Sequence, residues 1–413
     1  MRETEPSLRP RLIPRHSVVN CEDQVTDDKS GQTSSRLPRI PRVEKQLQIG
    51  QPLYPPKALS TSSEPFRHES RIPTPKKIPS KRSSRQNMNA LVTGATGFLG
   101  NNLVRALIDH KDSVRVIVRE GADTAPLRGL NVQKFTGSLE NEAMLREAAA
   151  GVDVIYHCAG FVKIGWSQLK KARRINVDLT QKIIKIAQEY GARLVHVSTV
   201  NTLGVGQNGL ELDERSAKQN YVSCSYVISK KEAEQAVQQA VGDGLDAVII
   251  HPSFMLGPYD WKPSSGSMML EVLTVRPPLA PRGGCSVADV RDVAKAMVAA
   301  GHKGLCGENY ILSGHRIRYY DLWVRFANLK ERRGPYTTVG PRLGGAIGRV
   351  ADLWATVTGQ ESNFNSALVQ MGAQTHYYRS DKARKYLGYE NRPLDVTIQE
   401  TWNWFCENGF AKA

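Results

Sequence analysis

Several features common in other classes of protein are scarce in this 413-residue chain. No apolar run approaches the roughly 18–20 residues that a membrane-crossing helix needs, so no transmembrane segment is expected. No apolar stretch follows the basic N-terminus, which argues against a secretory signal. The six cysteines (Cys21, Cys158, Cys224, Cys285, Cys306 and Cys406) stand apart with no C-x-x-C pair. That pattern offers neither a zinc site nor a disulfide framework and fits reduced, structural thiols in a cytoplasmic protein. Internal repeats are absent as well.

Residues 1–87 lack apolar clusters and any sustained periodicity, yet they hold 12 of the 22 prolines and 12 serines. They carry 17 Lys+Arg against 9 Asp+Glu, a net of +8, which is half of the +16 of the whole chain. So little apolar surface cannot offset the entropy of ordering the backbone, and a disordered basic tail is expected. Its charges are scattered among acids such as Glu22, Asp23, Asp27 and Asp28. A solvated tail is therefore expected rather than a nucleic-acid arm. Met88, two residues before the first apolar run, offers a second place for translation to begin.

What is present starts there. Ala90-Leu-Val-Thr-Gly-Ala-Thr-Gly-Phe-Leu-Gly100 reads as a short buried strand, a tight glycine turn, and a helix continued by Leu103, Val104 and Leu107. Free backbone N–H groups and the positive end of a helix dipole at such a junction suit a pyrophosphate. A side chain at Gly94 or Gly97 would hold the phosphates away from the backbone, and one at Gly100 would push the helix off the sheet. The turn and first helical turn (Gly94, Thr96, Gly97, Phe98, Leu99, Gly100) are thus candidate dinucleotide ligands.

Further strands are expected at 114–118, 131–135, 152–157, 193–197 and 247–250. Helices are expected at 142–149, 168–190 and 226–241. This alternation predicts an α/β fold with a doubly wound parallel sheet. The second strand ends at Arg119, followed by Glu120. An arginine there pairs with the 2′-phosphate of NADP, whereas a carboxylate would take the ribose hydroxyls of NAD. NADP(H) is favoured and NAD(H) remains open. Ser138 and Leu139 should flank the adenine, and the small residues Ala159 and Gly160 should leave room at the end of the fourth strand. Beyond Pro252 the alternation breaks down. Prolines punctuate a loop-rich region, Asp289 is a plausible helix N-cap, and 343–358 reads as a moderately apolar helix that could cover the substrate pocket, with membrane contact the lesser reading because of the charged Arg349 and Asp352. The expected division is residues 88–260 for dinucleotide binding and 261–413 for a smaller substrate-binding part whose segments return to the first.

Tyr226-Val-Ile-Ser-Lys230 supplies a reaction. Residues four apart share a helix face, so the Lys230 ammonium lies near the Tyr226 phenol. A neighbouring cation lowers a phenol pKa toward working pH, as a general acid/base requires. The Thr199 hydroxyl, just past the fifth strand, could orient the substrate oxygen, with Ser198 as the competing hydroxyl. Asn176 could fix the long helix and a water reaching Lys230, or be an ordinary polar helix residue.

These residues bring out a resemblance to the extended and atypical short-chain dehydrogenases/reductases. It covers residues 88–413. The motifs are Thr93-Gly-x-x-Gly-x-x-Gly100, His157-Cys-Ala-Gly160, Asn176-Val, Ser198-Thr-Val-x-x-Leu-Gly204, Tyr226-x-x-Ser-Lys230 and His251-Pro-Ser-x-x-x-Gly-Pro258. The resemblance implies a Rossmann domain, Tyr226 as acid/base, Lys230 on the nicotinamide ribose, Thr199 as the orienting hydroxyl, and Pro252 and Ser253 beside the nicotinamide. A homodimer is common among such proteins. The segments 257–263 and 378–389 look most like dihydroflavonol-4-reductase-like enzymes and hopanoid-associated sugar epimerase-like proteins, with 3β-hydroxysteroid dehydrogenases more distant. Ser138 stands where many members carry Asp, and Cys158-Ala-Gly replaces a commoner Leu/Ala-Ala-Ala. The leading expectation is an oxidoreductase passing a hydride between nicotinamide and a carbonyl or secondary alcohol. A sugar-nucleotide epimerase with tightly held NAD+ and a non-catalytic cofactor sensor are the alternatives. Phe161, Lys163, Trp166, Asn201, Met255 and Tyr378 are candidates to line the substrate pocket.

Overall fold

A computed structural model describes residues 87–216, 218–358 and 364–412. Apart from Asn87, the expected tail lies outside the described residues. The chain then runs β1 (Asn89–Thr93), α1 (Phe98–Asp109), β2 (Ser113–Val118), β3 (Gln133–Thr136), α2 (Glu142–Ala149) and β4 (Val154–His157). Next come α3 (Leu169–Arg173), a π turn (Arg174–Asp178), α4 (Leu179–Tyr190), β5 (Arg193–Val197), α5 (Ser225–Gly242) and β6 (Ala247–Pro252). The C-terminal part comprises β7 (Phe254–Leu256), α6 (Ser267–Val275), β8 (Leu279–Pro281), β9 (Gly284–Asp289), α7 (Val290–Lys303), β10 (Asn309–Leu312) and β11 (His315–Arg318). It ends with α8 (Tyr319–Asn328), β12 (Thr337–Val339), α9 (Pro341–Thr358), α10 (Ser366–Ala373), β13 (Thr375–His376), α11 (Asp381–Leu387) and α12 (Leu394–Glu407).

Seven strands form one parallel sheet in the order β10-β6-β5-β4-β1-β2-β3. Side chains alternate across a strand, so successive residues of β1 enter different cores. Ala90 and Val92 pack with Leu99, Leu103 and Leu107 of α1 and with α7, while Leu91 packs on the other face with α2, α4 and Val237 of α5. Both faces are covered, as a parallel sheet requires. The helix expected at 168–190 runs from Leu169 to Tyr190 with the π turn inside it, where one extra residue turns Asn176 inward. Gly191 ends α4 with φ +62°.

The C-terminal region holds more regular structure than its prolines suggest. A second sheet, β11-β9-β13 with β7 also on β9, packs with α6, α8 and α12 around Leu322, Phe326, Trp402, Trp404 and Phe405. Asp289 is the N-cap of α7, its carboxylate accepting from Arg291 N at 2.9 Å. Two segments of this region belong to the first sheet's layers. The strand β10 extends its edge beside β6, and α7 lies on α1.

Candidate functional site

The register of the large sheet gathers the reactive residues at one edge. Thr93 lies opposite Ile117 and His157, and Val197 opposite Ile250. The chain just past each strand (Gly94, Arg119, Cys158–Gly160, Ser198–Thr199, Pro252–Ser253) therefore leaves the sheet at the same, carboxyl, end. That is where ligands enter open α/β sheets.

At β1 the backbone itself makes the cradle. Gly94 has φ +71°, and a Cβ there would sit 2.6 Å from Ala159 N. A Cβ on Gly100 would lie 2.2 Å from Gly94 O. Gly97 caps α1 without a side-chain bond, and the first turn of α1 carries no acid, so its N–H groups and dipole are left for an anion. The Ser253 hydroxyl is buried with no protein partner. These groups fit a dinucleotide. Thr93 Oγ1 lies 2.8 Å from His157 Nδ1 and accepts from Ala159 N, pinning the β4 loop against β1. Leu139 is buried, while Ser138 is exposed and its hydroxyl accepts from Glu140 N. Arg119 and Glu120 are both exposed.

Tyr226 and Lys230 lie one turn apart on α5 and are buried. The Thr199 hydroxyl hydrogen-bonds Tyr226, and also accepts from Asn201 N as the cap of a short 3-10 turn. Lys230 Nζ donates to Val197 O at 2.8 Å and lies beneath Gly160, where a Cβ would come within 3.3 Å. Burial pushes Lys230 down to about 8. Burial also pushes Tyr226 up to about 12, opposed by Thr199. The tyrosine is thus raised by the protein, contrary to the expectation from Lys230: desolvation outweighs the hydrogen bond from Thr199.

Ser198 and Thr199 divide their labour. Ser198 Oγ donates to Glu234 Oε2 at 3.0 Å, so Thr199 is the hydroxyl that faces Tyr226. Asn176 accepts from Phe161 N (2.7 Å) and donates to Phe161 O and Ser229 Oγ, tying the β4 loop to α5. Sequence reasoning missed two supporting residues. Glu234, four residues after Lys230, also accepts from Thr202 Oγ1 and pairs with Lys218. Burial raises its carboxyl, but His251, Lys218 and the hydroxyl bonds hold it below the usual range. His251 Nδ1 lies 3.1 Å from Thr199 O; a carbonyl only accepts, so that nitrogen carries the proton. The spacing Tyr226, Lys230, Glu234 on one otherwise buried face was the available signal.

Of the pocket candidates, Phe161, Lys163, Asn201 and Met255 are half-buried, and Trp166 is more exposed, with Nε1 donating to Ser366 Oγ. Tyr378 is placed elsewhere. It is buried with Leu203 and Ile311, and its hydroxyl donates to Gly204 O at 2.6 Å, so it is a core residue whose polar atom is already used. Around Tyr226 the structure instead gathers Val222, Cys224, Val227, Ala367 and Met371, with Ile164 against them. Among the described residues, one cluster has metal-ligand spacing: His110, Asp112 and His302. Asp112 bonds Met88 N just before β1, at the opposite end of the sheet from Tyr226, and its other oxygen lies within bonding distance of both imidazoles.

Residues 90–312 match the NAD dependent epimerase/dehydratase family. The chain belongs to that family. Sterol demethylase protein B of Methylococcus capsulatus is 28% identical over 78% of this chain and 99% of its own length. A Synechocystis protein assigned as a dihydroflavonol 4-reductase is 30% identical over 78% of this chain and 95% of its own. A 4-hydroxy-2-methyl-3-oxo-4-farnesyl-3,4-dihydroquinoline-1-oxide ketoreductase of Stigmatella aurantiaca is 29% identical over 76% and 94%. Among solved structures, gox2253 superposes with a TM-score of 0.70 at 29% identity, covering 79% of this chain and all of its own. Membership makes the protein an NAD(P)-dependent oxidoreductase on a Rossmann fold. Among the described residues, no helix is long and apolar enough to cross a membrane.

Proposed function

We propose that the protein is an NADPH-dependent reductase of a carbonyl on an apolar, lipid-like molecule, running in reverse as a secondary-alcohol dehydrogenase. The observation that carries this reading is the setting of Tyr226. Its phenol, bonded to Thr199, is packed among the apolar side chains of Val222, Cys224, Val227, Ala367 and Met371. A phosphorylated sugar would bring charge against that wall, which costs several kcal/mol when unpaired, roughly 2–7 for even a neutral polar group. The sterol and farnesyl groups in the names of two relatives support an apolar substrate.

The bound dinucleotide supplies or accepts the hydride. The chain's own groups do the rest. Thr199 and Tyr226 converge on the substrate oxygen, and Tyr226, which holds its proton at neutral pH, delivers it to that oxygen. Lys230, still mostly protonated at pH 7, stabilises the phenolate that remains. Asn176 and Gly160 hold the floor against which Lys230 rests. Arg119, exposed beside the glycine turn, supports NADPH over NADH by pairing with a 2′-phosphate.

The test uses the full chain and follows nicotinamide absorbance with a long-chain ketone. Tyr226→Phe should lose about 10²–10⁴ in turnover while still binding NADPH. Arg119→Ala should weaken NADPH binding about tenfold and leave NADH binding unchanged. Turnover of sugar nucleotides with retained, non-exchanging NAD+ would refute the reductase reading in favour of an epimerase.

A further inference from the structure

We propose that the outward face of α9 docks the protein on a bilayer surface rich in anionic headgroups, next to the mouth of the reaction site. The proposal deepens the apolar-substrate reading, and rests on it only for the route by which substrate arrives.

The polarity of α9 is reversed from that of an ordinary surface helix, which turns its large apolar side chains inward. Among its described residues, the inner face carries small side chains and one acid. Gly344 and Gly348 are buried; a Cβ on Gly348 would come within 2.7 Å of Ser366 Cα, and one on Gly344 within 3.0 Å of Val369 Cγ1. Asp352 also points inward, accepting from Ser366 N at 3.1 Å. Leu343, Val350 and Leu353 are 57%, 69% and 67% exposed. Their spacing of seven and then three residues sets them on one face, opposite the glycines. Single exposed apolar residues are ordinary, but a stripe of them on one helix marks an interaction surface.

Charge indicates the partner. The segments 272–283 and 332–353 hold β8, β12 and the start of α9, and the two strands pair. With the adjoining Glu271 and Glu331 they contain six arginines and three acids, one of which, Asp352, is already bonded inward. An apolar face flanked by arginines complements the interface of an anionic bilayer, where apolar side chains enter the acyl boundary and cations meet headgroups. A cavity of about 400 Å³ lies beside it, between Gly345 of α9, Val369 and Gln370 of α10, and Tyr221–Val222, which leads into α5. Val222 belongs to the apolar cluster around Tyr226. Docking on α9 would hold that cavity close to the membrane surface and shorten the path of an apolar substrate through water.

The test is flotation of the full chain with vesicles of phosphatidylcholine alone or with one quarter phosphatidylglycerol. The wild type should float with the anionic vesicles and release in high salt. The triple variant Leu343→Ser, Val350→Ser, Leu353→Ser should lose about tenfold or more in partitioning. Arg349→Glu should bind less than wild type. Because all four positions are exposed, thermal midpoints and turnover of a short, water-soluble ketone should stay at wild-type values. Absence of wild-type flotation, or equal flotation of every variant, would overturn the proposal. So would a wild-type dimer that the triple variant dissociates without any vesicle binding, since α9 would then meet a second copy of the chain. Loss of soluble-ketone turnover in the wild type would instead strike the reductase reading and leave the flotation result standing.

Discussion

Replacing Lys230 by methionine should make the protein more stable and inactive at once. Lys230 is a buried ammonium whose pKa is pushed down from 10.5 to about 8 by desolvation. A drop of between two and three pH units corresponds to roughly 3 kcal/mol charged against the folded state at neutral pH. Methionine has similar length and no charge, so Lys230→Met removes that penalty. It also removes the bond to Val197 O, and leaving a buried carbonyl without its donor costs about 1–3 kcal/mol. The expected balance is a variant about 1 kcal/mol more stable at pH 7. The sign with pH is decisive. Between pH 8 and 10.5 the unfolded lysine still binds its proton while the folded one has released it. The wild type therefore gains stability across that window and the variant does not. Urea unfolding of both proteins at pH 7, 8.5 and 10, without dinucleotide, measures this directly. A variant less stable at pH 7, or a difference between the two that does not move with pH, would refute the assignment of Lys230 as a buried charge held for function.

Gly94→Ala should cost about 2 kcal/mol or more, since its φ is +71° and its Cβ would lie 2.6 Å from Ala159 N. Dinucleotide affinity, by fluorescence titration, should fall with it. Glu234→Gln should lower turnover about tenfold with NADPH affinity unchanged, because the carboxylate reaches the reaction only by holding Ser198 and Thr202 on either side of Thr199. The stability from its depressed pKa is present above the unfolded carboxylate value and is lost as pH falls through the lower folded one. Wild type and Glu234→Gln should converge in thermal midpoint as pH falls below the usual carboxylate range and through the lower folded value.

Local chemistry made the cradle and the Tyr226/Lys230 pair readable from sequence. Each lies within a dozen residues, and its spacing has one structural solution. The second sheet was not readable in the same way. Its central strand, Gly284–Asp289, is buried throughout and mixes glycine, serine and aspartate, so it carries neither alternation nor an apolar run. Its partners come from residues 254–256, 315–318 and 375–376, and only tertiary contact selects them. The seventh strand of the large sheet, Asn309–Leu312, was lost for its brevity. Tyr378 was drawn toward the substrate by its aromatic ring, and Gly204 O, 174 residues earlier, claims its hydroxyl instead. Glu234 and His251 were hidden because buried polar residues declare their purpose only through their partners.

The strand order has a consequence in time as well as in space. The first strand among the described residues, β1, sits in the interior of the sheet between β2 and β4, and β4 begins 65 residues after the start of β1. Thr199, Tyr226 and Ser253 follow later still, and β10 closes the edge beside β6 last. A ribosome-bound chain can assemble the glycine cradle from β1 and α1 early, since those contacts are local. The proton-handling half must await strands made much later. The order of synthesis therefore completes the phosphate-binding turn before the residues of the acid/base are made.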